Sequence, residues 1–348
     1  MKKYLLLLYS CFVVNAFAQI ETPHLLPDED LDYYLVQSFL AKGSKERISL
    51  NHIGLQGTQK SNGFLVTAVL EGYPAHVSGI NRGDIITRVN DTEFHPVKSF
   101  NIRRDDHGNF VPTTKDYLLS LTRGSRNLQF TVRPIHENLF DSYRTATSNS
   151  ILEFSAGNKI IGYIRFWGLS RTTNDLINYQ NILKSLDHTD GIIFDLRNSF
   201  GFLDPQHLDL VFTNRDSYFK FSDRMTAETK FAEISPKSDI EPYRKPIAVL
   251  LNQDTRGGSE LFAYQLEKLG RVVSLGESTK GELGDFNLEN NQSNSSITYI
   301  ISNKLLINGQ SLEGVGIQPE RVVSYPYENT TRGDPQYEAA INTLLGII

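Results

Sequence analysis

Cysteine is almost missing from this sequence: Cys11 is the single one in 348 residues. A lone thiol forms no internal disulfide and supplies no paired sulfur ligands for zinc. Basic residues are not in excess either. Lysine and arginine number 35 against 40 acids, a formal charge of -5, which speaks against a nucleic-acid surface. Past the first residues no run is long and apolar enough to cross a membrane. No GxGxxG or Walker-type loop follows any strand-like run, so neither a nucleotide nor another cofactor is expected. What remains is an ordinary composition, 39% hydrophobic and 22% charged, at a length that suits two domains.

The N-terminus has its own pattern. Lys2-Lys3 form a basic start, Tyr4 to Val14 an apolar run, and Ala16-Phe17-Ala18 a small-x-small site before Gln19. This arrangement reads as a signal peptide over 1–18 and as export to a bacterial periplasm or exterior. A membrane anchor is the competing reading, but the run is shorter than the ~20 residues that a helical span needs. Cys11 lies within it, where Leu8-Tyr9-Ser10-Cys11 loosely resembles a lipobox; Tyr9 fits that pattern poorly. A short amphipathic helix is expected in the segment 19–46, over Pro27 to Leu40, with acids in its first turn. Its expected role is packing.

Residues 47–134 carry a β-rich pattern. A strand with Ile48, Leu50 and Ile53 runs into Gly54-Leu55-Gln56-Gly57, and a second, Gly63 to Leu70, alternates. Then follow Pro74-Ala75-His76-Val77-Ser78-Gly79-Ile80 and Arg82-Gly83-Asp84-Ile85-Ile86 as helix, turn and strand, a helix over Thr114 to Thr122, and a closing strand, Asn127 to Arg133. The run YPAHVSGINRGDII resembles the signature of PDZ domains, which are small β-sandwiches or barrels with two helices. That resemblance implies capture of an extended peptide C-terminus by strand addition. It makes Gly54, Leu55, Gln56 and Gly57 the carboxylate loop, the strand containing Phe64 and Val66 the docking edge, and the Thr114 helix the second wall. The insertion 94–111 holds His107 beside Asp105 and Asp106, without further ligands at metal spacing.

From about residue 150 to 348 strands alternate with helices, as in an α/β domain with a mainly parallel sheet. Lys159 to Phe166, Gly191 to Arg197, Ile247 to Leu251 and Arg271 to Leu275 are apolar strand runs. Asp175 to Leu186 and the segment after Gly258 read as helices. KIIGYIRF, GIIFDLRNSFG, PIAVLLNQDTRGGSE, LGRVVSLGESTKG, GVGIQPE and DPQYEAA resemble, in that order, the sequence blocks of the C-terminal processing (tail-specific) peptidases. The segments 212–243 and Asn287 to Ser296 fall outside those blocks, the latter reading as a polar loop.

Those peptidases use a serine nucleophile and a lysine base. Counting from Glu260, the resemblance places the nucleophile at Gly257 and the base at Glu282. A further acidic position falls on Lys268, and the glycine pair of the oxyanion region falls on Gly201 and Phe202. Gly257 has no side chain to attack a carbonyl. Ser259 is the alternative nucleophile and Lys280 the alternative base, although Ser259 is displaced by roughly 200° of helical turn. Thr255, two residues before Gly257, reads as a turn residue. Three readings follow. The chain is a catalytically degenerate relative that binds protein C-terminal tails or unfolded peptides, an active serine-type endopeptidase with a rearranged nucleophile, or an envelope adaptor.

Overall fold

The computed structural model describes residues 24–222, 229–291, 294–301, 305–306, 311–327 and 333–348. The segment expected to be a signal peptide, with Cys11, lies outside the described residues. Among the described residues no helix is long and apolar enough to cross a membrane.

The first helix among the described residues is α1 (Leu31–Leu40), whose Tyr33, Tyr34, Leu35 and Val36 are buried. An antiparallel sheet follows, ordered β1 (Leu55–Lys60), β2 (Gly63–Val69), β3 (Ile85–Val89), β4 (Tyr117–Arg123) and β5 (Arg126–Val132). The helix expected over Thr114 to Thr122 is in fact strand β4. Tyr117, Leu119 and Leu121 are buried while Leu118 is exposed, a period of two that a helix cannot satisfy. Among the described residues this domain therefore keeps a single short helix, α2 (Pro74–Val77). The strand expected to be the docking edge is not the open edge of this sheet. β2, with Phe64 and Val66, is paired on both flanks and buried, whereas β1 has β2 on one side only.

Helix α3 (Leu139–Asn149), capped by Asn138, joins the two domains. The second sheet is ordered β6 (Leu152–Ala156), β7 (Lys159–Arg165), β8 (Gly191–Asp195), β9 (Ile247–Leu251), β10 (Val272–Gly276) and β11 (Arg321–Val322). Every pairing after β6–β7 is parallel. Every residue of β8 and β9 is buried, because helices cover both faces of a parallel sheet. Helices α4 (Thr173–Ser185) and α5 (Gly258–Leu266) contribute to the larger core, and α6 (Pro335–Leu345) closes the other face. The segment expected to be a polar loop is instead a β-hairpin, Asp285–Asn291 paired with Asn294–Ile300. The two-residue strand His24–Leu25 extends it.

The domains are bonded to each other. Gln56 Nε2 donates to Tyr143 Oη at 2.5 Å and to the Asn198 carbonyl at 3.1 Å. Asn198 Nδ2 donates to Thr67 Oγ1 at 3.3 Å. Arg82 lies 4.0 Å from the ring centres of both Tyr325 and Tyr327.

Candidate functional site

The turn between β9 and α5 sits at the carboxyl end of a central parallel strand, where open α/β sheets place their sites. Thr255 serves as a buried turn residue, donating to the Leu196 carbonyl at 2.8 Å. Gly257 caps α5 with φ 65° and ψ -133°, a conformation that favours glycine. A Cβ built on it would stand 2.9 Å from the Gly201 carbonyl oxygen and 3.9 Å from the Gly201 nitrogen. At Gly258 a Cβ would meet the Leu203 nitrogen at 2.3 Å, so the helix start is pressed against the 201–203 segment.

Two of the amides around this point are already engaged. The Gly257 N–H donates to the Glu282 carbonyl at 2.9 Å and to Glu260 Oε2 at 3.1 Å. The Phe202 N–H donates to the Leu169 carbonyl at 2.8 Å. Glu260, fully buried, also accepts from Thr279 Oγ1 at 2.5 Å, the Gly281 N–H at 2.6 Å and the Glu282 N–H at 2.9 Å. Burial raises its carboxyl above the usual range against the pull of these four donors. This one side chain ties the Gly257 turn to the loop carrying Lys280 and Glu282.

Ser259 is fully buried, and its Oγ lies 2.7 Å from Ser199 Oγ. It neither reaches the cleft nor caps the helix. Lys280 is half-exposed, with its Nζ 2.5 Å from Glu282 Oε2. Lys268 lies beyond the carboxyl end of α5, its ammonium 4.5 Å from the Tyr264 ring centre. The His107 loop is a turn: Asp105 Oδ1 accepts the N–H groups of His107 and Asn109.

Two residues that the sequence reading left without a role complete the site. Arg256, beside Gly257, is buried and pairs with Glu282 at 3.3 Å and Asp32 at 3.0 Å. Burial alone would weaken its charge, but Asp32 and Glu282 outweigh it and hold the guanidinium above its ordinary value. Burial opposes ionisation of Asp32 as well, and Arg256 with Lys280 pulls its carboxyl below the usual range. Helix α1 thus contributes a charge to the site as well as packing. The sequence reading assigned Arg256 no role, although an arginine that becomes buried requires acids around it.

Next to Gly257 opens an aromatic cavity of about 110 Å³. Gly201, Gly257 and Gly258 border it, and Phe200, Phe202, Phe219, Phe231 and Phe286 supply most of its apolar wall. Arg171 lies 5.6 Å from the Phe202 ring centre. Phe202 therefore narrows this cavity while its amide is held by Leu169. The chemistry available is recognition of an apolar group beside a neutralised chain of charges.

Residues 160–323 match the model of peptidase family S41, and residues 43–103 match that of the PDZ domain. A carboxyl-terminal-processing protease of Synechocystis sp. is 27% identical over 309 residues, covering 85% of this chain and 69% of that one. A Staphylococcus aureus protein described as a CtpA-like serine protease is 22% identical, covering 79% of this chain and 53% of its own length. The chain thus spans about half of the staphylococcal relative. A crystal structure from Bacteroides fragilis described as an S41 protease superposes with a TM-score of 0.56 at 16% identity, covering 86% of this chain and 84% of that one. That likeness concerns the fold.

Proposed function

The chain belongs with the CtpA-like serine proteases of peptidase family S41 and carries a PDZ domain, and from that premise we propose that it is an exported peptide-binding relative without serine–lysine chemistry. It holds protein tails or unfolded segments and does not cut them. The observation that carries this reading is Gly257. The nucleophile position has no side chain, its backbone favours glycine, and a carbonyl oxygen stands 2.9 Å from the place of a Cβ. The base position supports it, since Glu282 is paired with Arg256 and Lys280. Export is read from the charged, apolar and small-residue succession of residues 1–18. Ligand contact is assigned to the exposed edge β1 and the aromatic cavity. A relocated nucleophile at Ser259 would have to leave a buried bond to Ser199.

The test combines fluorophosphonate labelling with incubation of an unfolded, tail-bearing substrate. We expect saturable binding of the substrate, no covalent adduct and no cleavage products. Labelling that disappears in Ser259→Ala would overturn the reading in favour of an active peptidase.

A further inference from the structure

On the other side of Arg256 lies a larger cleft of about 1060 Å³, bounded by β1, the start of α1, residues 93–96 and the turn after β9. β1 is bonded on one flank only, and Gly57, Thr58, Gln59 and Lys60 line the cleft. An open strand edge of this kind accepts an extended chain through backbone hydrogen bonds. The lining is acidic on balance, with Glu29, Asp30, Asp32, Glu93 and Asp254 against Lys60, Arg256 and Lys280. Two of those cations are already neutralised, Arg256 by Asp32 and Glu282, and Lys280 by Glu282. Lys98 pairs with Glu29 at 2.5 Å, but both side chains are about half exposed, so that contact yields readily. Burial lowers His95 from the ordinary histidine value, so it adds no positive charge at neutral pH.

Resting on the peptide-binding reading above, we infer that the cleft takes its peptide as an added strand on β1 and selects one with a lysine or arginine side chain facing Glu29 and Glu93. Strand addition supplies affinity independent of sequence, and the acidic rim supplies the choice. The apolar cavity at Gly257 lies beyond Arg256, so the two surfaces read different parts of one extended ligand.

The test uses the full chain and short fluorescent peptides of one β-prone sequence carrying Lys, Gln or Glu at a central position. Fluorescence anisotropy should give the Lys peptide a Kd roughly fivefold below that of the Gln peptide, with the Glu peptide weaker still, as expected for partly exposed ion pairs. The preference should shrink at high salt. Glu29→Gln with Glu93→Gln should bring the Lys and Gln peptides to the same Kd. Equal binding of all three peptides overturns charge selection and leaves the peptide-binding reading standing. No binding by any of them overturns both. A Lys preference that survives the double substitution places the selecting acids elsewhere and refutes the assignment. Sedimentation that shows dimers dissociated by peptide would make a second copy of the chain the occupant.

Discussion

Restoring the serine and lysine, as Gly257→Ser with Glu282→Lys, asks how deeply the cleft has diverged. Each substitution has its own cost. At φ 65° and ψ -133° a residue with a Cβ is strained by about 1–3 kcal/mol. The 2.9 Å approach to the Gly201 carbonyl adds on the order of 1 kcal/mol, because the displaced atom is backbone and not a movable side chain. Gly257→Ser alone should therefore lose about 2–4 kcal/mol, which is roughly 5–10 °C in Tm for the domain. Lys at position 282 would stand beside Arg256 and Lys280 with Asp32 as their remaining acid partner. Repulsion there would push its amine toward the neutral form that a general base requires, at a cost of about 2–3 kcal/mol in broken pairs.

Thermal melts of the two single variants and the double variant, with near-ultraviolet circular dichroism as a check on packing, measure these terms. Cleavage of an unfolded tail-bearing substrate measures function. We expect destabilised but folded variants without turnover. A serine at 257 would face the Gly201 carbonyl, and the Gly257 and Phe202 amides are already bonded, so neither of these two is available to an oxyanion. A Gly257→Ser protein that melts within about 2 °C of the parent, or a double variant that cleaves, would refute this reasoning and show that only two side chains separate the site from activity.

Two further outcomes follow from the charges. Arg256→Met keeps the bulk but leaves half-exposed Asp32 without this cation and Glu282 with Lys280 alone, and should cost about 1–2 kcal/mol in chemical denaturation. Asp32→Asn on that background should cost little more, and strict additivity of the two would disprove the pairing. His207 is fully buried, with Nδ1 accepting the Asp204 N–H at 2.9 Å, and burial lowers it from 6.5 to about 4. Between those values the unfolded chain holds a proton that the folded chain refuses. Stability is therefore full above pH 6.5 and falls on acidification, by on the order of 2 kcal/mol at pH 5. His207→Gln should flatten that part of the pH profile; an unchanged slope would place the acid sensitivity elsewhere, with buried His52 as the next group to test.

Much of the second domain was legible because β8 and β9 are short, mainly apolar runs bounded by turn residues, the pattern of strands buried on both faces. Two segments misled for physical reasons. Lys115 and Asp116 before an aromatic residue resemble a helix start, yet the alternation of Tyr117, Leu119 and Leu121 decided for strand β4. The run NLENNQSNSS is polar enough for a loop, but Phe286 and Leu288 pack against the core that includes α1, and that is enough to pin a hairpin. In the site, the identities at 257 and 282 came from the order of motifs. Their surroundings did not, because Asp32 meets Arg256 only through the packing of α1 against the second domain, with the rings of Phe39 and Phe200 5.4 Å apart. No local pattern encodes a contact of that range.

The exchange of charges at this site has a consistent direction. A serine–lysine pair needs one amine kept neutral by desolvation, a state that costs stability and is kept for reactivity. Here the buried cation is a guanidinium, which does not give up its proton, and it is held by acids from two other segments. That arrangement cannot shuttle a proton, but it joins α1, the Gly257 turn and the Glu282 loop through one side chain. Glu260 also joins the Gly257 turn to the Glu282 loop, through its four hydrogen bonds. On the proposed reading, paired groups stand where a peptidase would need mobile ones, and they tie together the walls between a strand edge and an aromatic cavity. Rigid walls lower the entropy lost when an extended chain is held. On that reading, the residues at 257 and 282 favour binding over chemistry.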